Sequence, residues 1–118
     1  MPKSNDVCSI TIIDGEKVNR VKSLLPSVTE TDNIARFFKG LGDSTRQKIL
    51  QALLIEELCV CDLSTITDVS ISAISHQLRM LRDLSIVKSR RVGKMVYYSL
   101  ADEHIRELMR QTAIHLNE

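Results

Sequence analysis

Three cysteines and a short roster of carboxylates and imidazoles are the side chains of this 118-residue chain with chemistry to offer. Cys59 and Cys61 stand two positions apart inside Glu57-Leu58-Cys59-Val60-Cys61-Asp62, and Cys8 lies far upstream. Both thiols of such a pair can meet one ion if the backbone is extended or starts a helix. Asp62 can add an oxygen, and Cys8, carried on an arm, is the expected third sulfur. Three thiolates suit soft ions such as Cd²⁺ and Pb²⁺, whereas Zn²⁺ accepts three with a fourth ligand. An odd cysteine count with two so close favours free thiols and metal over disulfides. A lone cysteine would be read as a small buried hydrophobe; the paired spacing beside an acid points to metal.

A second set, Asp102, His104, His115 and Glu118, occupies the last stretch. His104 and His115 are close to three helical turns apart, so they share a face but are separated by ~16 Å along the axis. One ion cannot bridge them within a chain. Two antiparallel copies of the helix would bring Asp102 and His104 of one to His115 and Glu118 of the other, giving two equivalent sites about a two-fold axis. Two nitrogens and two oxygens suit tetrahedral Zn²⁺. The plainer alternatives are a helix-capping Asp102 and solvent-facing histidines.

Between the two sets lies a segment with the features of a DNA reader. Over 71–84, Ile71, Ile74, Leu78 and Leu81 share one helical face. Ser72, His76 and Arg79 lie nearly opposite, with Ser75 and Arg82 at the border: short hydroxyls and donors able to reach base edges and phosphates. The net charge of +1 does not suggest a nucleic-acid partner, but its distribution does. Residues 70–94 carry six cations against Asp83 alone, a local net charge of +5. Arg90, Arg91 and Lys94 fall where a hairpin would lie along the phosphate backbone. A single amphipathic helix with a solvated polar face would explain less than this combination.

The elements that must position these groups are legible in outline. The length allows one small domain with a modest core, built of Leu, Ile, Val and Met because aromatics are scarce. Residues 1–28 read as an arm carrying Cys8, with one short helix near 16–25. Residues 29–118 read as the compact domain. Helices are expected over 32–41 (Ile34, Phe37, Phe38 and Leu41 on one face), 45–54 after the capping residues Asp43 and Ser44, 61–67 and 71–84. Strands are expected over 86–91 and 95–100 around Gly93-Lys94. Asp102 should cap a last helix ending near Leu116. The fold class is mainly α with a β-hairpin wing, a winged helix-turn-helix. Apolar surface in excess on 32–41 and on the last helix predicts a homodimer, with Leu108, Met109 and Ile114 at its interface. The absence of a ~20-residue apolar run or a signal-like N-terminus predicts a cytoplasmic protein with no membrane partner.

The segments Leu58-Cys59-Val60-Cys61-Asp62-Leu63, Ser75-His76-Gln77-Leu78-Arg79 and Val92-Gly93-Lys94-Met95-Val96-Tyr97-Tyr98-Ser99-Leu100 resemble the ArsR/SmtB family of metal-sensing repressors, over most of the chain from about Asn33. Cys8 and Glu16-Lys17-Val18-Asn19-Arg20 resemble its CadC branch, responsive to cadmium, lead and zinc. The resemblance implies a homodimer that holds operator DNA when metal-free and is released by Cd²⁺, Pb²⁺ or Zn²⁺. It implies that Cys8 reaches the other protomer's Cys59 and Cys61, and that Asp102, His104, His115 and Glu118 form the family's zinc site on the last helix. The chain departs from the branch at Ile12, where a second arm cysteine would stand, so Asp62 or water must complete the site. Ser64 stands where an arsenic sensor would carry another cysteine. Two other functions remain open at this point, a metal buffer and a thiol redox-sensing repressor. An enzyme is not expected, nor a small organic substrate: no nucleophile–base set or phosphate-binding glycine loop is present.

Overall fold

The computed structural model describes residues 9–118, so the expectation resting on Cys8 lies outside the described residues. The chain divides into two compact units, one ending at Thr31 and the other comprising Asp32–Glu118. In the first, Asp14 accepts a hydrogen bond from the Lys17 backbone N–H at 3.1 Å and caps helix α1, Gly15–Leu24. The helix stops where Pro26 forces extended backbone on Leu25. Helix α2, Val28–Leu41, starts earlier than the expected 32. The reason is local: Ser27 Oγ accepts from the Glu30 N–H at 3.1 Å, a capping arrangement just after the proline.

In the second unit, Asp43 caps α3 (Ser44–Ile55) by accepting from the Arg46 N–H at 3.1 Å. Its apolar residues Ile49, Leu50 and Leu53 are completely buried. A two-residue strand follows, β1 (Leu58–Cys59), which sequence periodicity did not foretell. Helix α4 (Val60–Thr67) begins directly after it and ends at Asp68 in the left-handed region, φ 58°, which a short polar side chain tolerates. Ser70 then caps α5 (Ile71–Asp83), accepting from the Ala73 N–H at 3.1 Å. Helices α4 and α5 are the two halves of the helix-turn-helix.

Strands β2 (Val87–Val92) and β3 (Met95–Leu100) form the wing hairpin, with Gly93 at φ +60° in its turn, a conformation open to a residue without Cβ. The sheet order is β1-β3-β2, all antiparallel. Asp102 caps α6 (Glu103–Leu116), as expected from its sequence position, accepting from the Ile105 N–H at 3.1 Å.

The core is aliphatic, with Leu63, Ile74, Leu78, Leu81, Ile86, Leu100, Ile105 and Met109 closing over α3. One expectation changes here. Ile71 is half-exposed and does not share the buried stripe of Ile74, Leu78 and Leu81, because it sits in the first turn of α5, beyond the reach of the core. Met109, expected at an interface, is almost wholly buried in the chain's own core and also lines an apolar groove with Leu41 and Leu108. Leu78 is wholly enclosed; Leu78→Ala is expected to destabilise the fold by about 2–5 kcal/mol through lost transfer energy and a residual cavity. Chemical denaturation would register this as a lower midpoint with an unchanged slope.

Candidate DNA-reading surface and metal centres

Helix α5 presents Ser72, His76 and Arg79 to solvent, with Ser75 half-buried beside them. The apolar stripe on its other side fixes this orientation: burying Ile74, Leu78 and Leu81 leaves the polar positions outward. Its placement is reinforced by Arg46, which the sequence reading passed over. The guanidinium donates from Nε to the Gly40 carbonyl at 2.7 Å and from Nη2 to the Lys39 carbonyl at 3.3 Å, closing the end of α2. It also donates from Nη1 to Gln77 Oε1 on α5 at 3.1 Å. One arginine thus joins the C-terminus of α2 to the reading helix. No local pattern signals such a role, because its partners lie up to 31 residues away.

Between α5 and the wing opens a cleft of about 400 Å³, lined by Ser75, Arg79, Arg82, Ser89, Arg90 and Arg91 among others. Arg91 and Lys94 are exposed on the wing, as a phosphate-contacting role requires. Arg90 is placed differently from the free wing cation expected. Its guanidinium forks onto Glu57, with Nε–Oε2 2.8 Å and Nη2–Oε1 2.7 Å, and lies 5.3 Å from the centre of the Tyr97 ring. Hydrogen bonding from Arg90 holds the Glu57 carboxyl below its ordinary range, and the same bond pushes the Arg90 pKa up.

The two cysteines lie near the turn of the wing. Cys59 is buried at the junction of β1 and α4, and Cys61 is exposed in the first turn of α4. Both line a small cavity of about 210 Å³ with Val60, Lys94, Met95 and Val96. The backbone here is extended at Cys59 and helical from Val60. Cys59 Sγ donates to Asp62 Oδ2 at 3.2 Å, and the same carboxylate oxygen accepts from the Cys59 backbone N–H at 3.4 Å. The contact sets a hard oxygen donor directly beside a soft sulfur donor.

On α6, Asp102 and His104 adjoin each other, with Oδ2 3.6 Å from Nδ1. The Asp102 carboxyl is held below its ordinary range first by the Ile105 backbone N–H and then by His104. His115 and Glu118 are exposed at the opposite end of the helix. Among the described residues of one chain, no three His, Cys, Asp or Glu side chains converge on a point. Within one chain each donor set is therefore incomplete as a metal site: a pair of thiols with a neighbouring carboxylate, and a carboxylate–imidazole pair. The donor types fit the soft and borderline ions expected of them.

A helix-turn-helix with an arginine-lined wing cleft defines a DNA-binding regulator fold. The sequence profile described as "Bacterial regulatory protein, arsR family" matches residues 43–89. The chain is 46% identical over 112 residues to a protein of Synechocystis sp. named "Transcriptional repressor SmtB homolog", spanning 95% of this chain and 85% of that one. It is 45% identical over 116 residues to the "Cadmium resistance transcriptional regulatory protein CadC homolog" of Staphylococcus aureus, spanning 98% and 95%. A homodimeric winged helix-turn-helix DNA-binding domain from Mycobacterium bovis, described as a possible ArsR-family transcriptional regulator, superposes with a TM-score of 0.73 at 28% identity, covering 80% of this chain and 91% of that one. The chain belongs to the ArsR family of bacterial regulatory proteins.

Proposed function

We propose that this protein is a metal-responsive transcriptional repressor that binds operator DNA as a homodimer when metal-free and is released when metal binds. The observation that carries the reading is the placement of Cys59 and Cys61 in a cavity shared with Lys94 at the wing turn, next to the cleft that carries Arg79 and Arg91. A soft ion held by those thiolates, with Cys8 as a third donor and Asp62 beside them, supplies strong bonds that favour one arrangement of the reading head. The switch requires only that metal bind the DNA-free arrangement more tightly. The names of the relatives, which speak of repression and cadmium resistance, support the same reading. We further propose Cd²⁺, Pb²⁺ and Zn²⁺ as inducers and Asp102, His104, His115 and Glu118 as an intersubunit zinc site. The test is titration of the protein–operator complex with each metal. A buffer would bind metal but not DNA; a redox sensor would release DNA with oxidant in the absence of metal.

The dimer is supported by apolar surface left open on the second unit. Phe38 and Ile34 on α2 are about half exposed, and Ile114 and Leu116 on α6 are more than half exposed. Phe38, Leu41, Leu108, Ala113 and Leu116 line a largely apolar groove of about 600 Å³. Contiguous apolar surface of this kind marks an association face. Sedimentation should give a dimer at micromolar protein without metal. Phe38→Glu, which alters an exposed residue, should give a folded monomer that no longer binds DNA tightly. A wild-type monomer would remove both the dimer and the intersubunit site.

A further inference from the structure

Of the four arginines lining the cleft between α5 and the wing, one is matched by an acid. Arg79, Arg82 and Arg91 have no carboxylate within 4.0 Å among the described residues, whereas Arg90 is gripped by Glu57. The sheet explains how Glu57 reaches it. Tyr97 of β3 pairs with Arg90 on one side and with Cys59 on the other, so the three form one cross-strand row. Glu57, two residues before Cys59 and just outside β1, meets Arg90 across this row.

The contact is a three-bond fork: Nε to Oε1 at 3.0 Å and Oε2 at 2.8 Å, and Nη2 to Oε1 at 2.7 Å. Those donors are the ones a DNA phosphate would use, since carboxylate and phosphate match the guanidinium fork alike. While Glu57 holds them, a phosphate approaching Arg90 must displace a carboxylate and then face its negative charge.

We propose that Glu57 withholds Arg90 from the DNA backbone, making Glu57 a residue that sets the strength of DNA binding and Arg90 a cation in reserve. This rests on the DNA-binding function proposed above and corrects the assignment of Arg90 as a standing phosphate contact. The side chains are 59% and 31% accessible, so the pair contributes little to the fold and either partner can be replaced without unfolding the domain.

The test is the salt dependence of binding to double-stranded DNA, of the operator or of random sequence, for wild type, Glu57→Gln, Arg90→Gln and the double variant. Each released arginine steepens the log–log salt slope by about 0.9, hence by roughly 2 in a dimer. Glu57→Gln is expected to steepen the slope by that amount and to bind several-fold tighter at low salt. Arg90→Gln alone is expected to leave the slope at its wild-type value, and the double variant to return to it. A slope unchanged in Glu57→Gln, or flattened in Arg90→Gln alone, overturns the proposal while leaving the DNA-binding function intact. Absence of DNA binding by wild type overturns both. Glu57→Ala serves as a second release variant should Glu57→Gln fold poorly, and thermal melting checks each variant.

Discussion

Replacing Cys61 with serine is expected to abolish cadmium-driven release of DNA while leaving metal-free binding unchanged. The structure makes Cys61 the better target of the pair. It is exposed in the first turn of α4, whereas Cys59 is buried and hydrogen-bonded to Asp62, so loss of Cys59 would also disturb packing. Serine retains the size of the side chain but removes a soft thiolate donor, for which a hydroxyl is a poor substitute with Cd²⁺ or Pb²⁺. A tenfold change in DNA affinity on metal binding requires ~1.4 kcal/mol of coupling, a small part of what a thiolate–metal site can provide. Gel retardation with added cadmium measures release, and the ultraviolet thiolate-to-metal absorption measures binding in the same samples. His104→Ala provides the contrast: it should lose a zinc site and keep the cadmium response. If the Cys61 variant still releases DNA at the wild-type cadmium concentration, and the His104 variant does not, the roles of the two donor sets are reversed.

Arg79→Ala should weaken operator binding by about fivefold to 150-fold per protomer, the range of a lost base or charged phosphate contact of about 1–3 kcal/mol. Arg79 is exposed, lies on the α5 face that burial of Ile74 and Leu78 turns outward, and has no acidic partner among the described residues. Its loss should therefore leave the fold intact and act on DNA alone. Competition binding with operator and random-sequence duplex distinguishes its role. A base-reading Arg79 loses discrimination between the two duplexes; a phosphate-holding Arg79 loses affinity for both and flattens the salt slope. Wild-type affinity for both duplexes in the variant would remove Arg79 from the reading face.

What the sequence determined by itself was whatever depends on neighbours within a few positions. Helical periodicity marked the buried Ile49, Leu50 and Leu53 of α3 and the Ile74, Leu78 and Leu81 stripe of α5. Capping side chains placed the starts of α3 and α6, where Asp43 and Asp102 accept the backbone N–H three residues on. Gly93 marked the hairpin turn.

Tertiary structure decided what depends on residues distant in sequence. Strand β1 is two residues long, too short for any periodicity, and exists only because β3 offers it partners. Met109 is largely covered because α6 folds back on the rest of its own chain, and apolarity alone does not say how much of a side chain that packing will cover. The largest change concerns charge. The sequence counts Arg90 among the wing's cations, but 33 residues separate it from Glu57, and only the β1-β3-β2 order brings the two into contact. Local pattern sets which face of an element is apolar or charged; pairing across the sheet sets which of those charges meets an opposite charge.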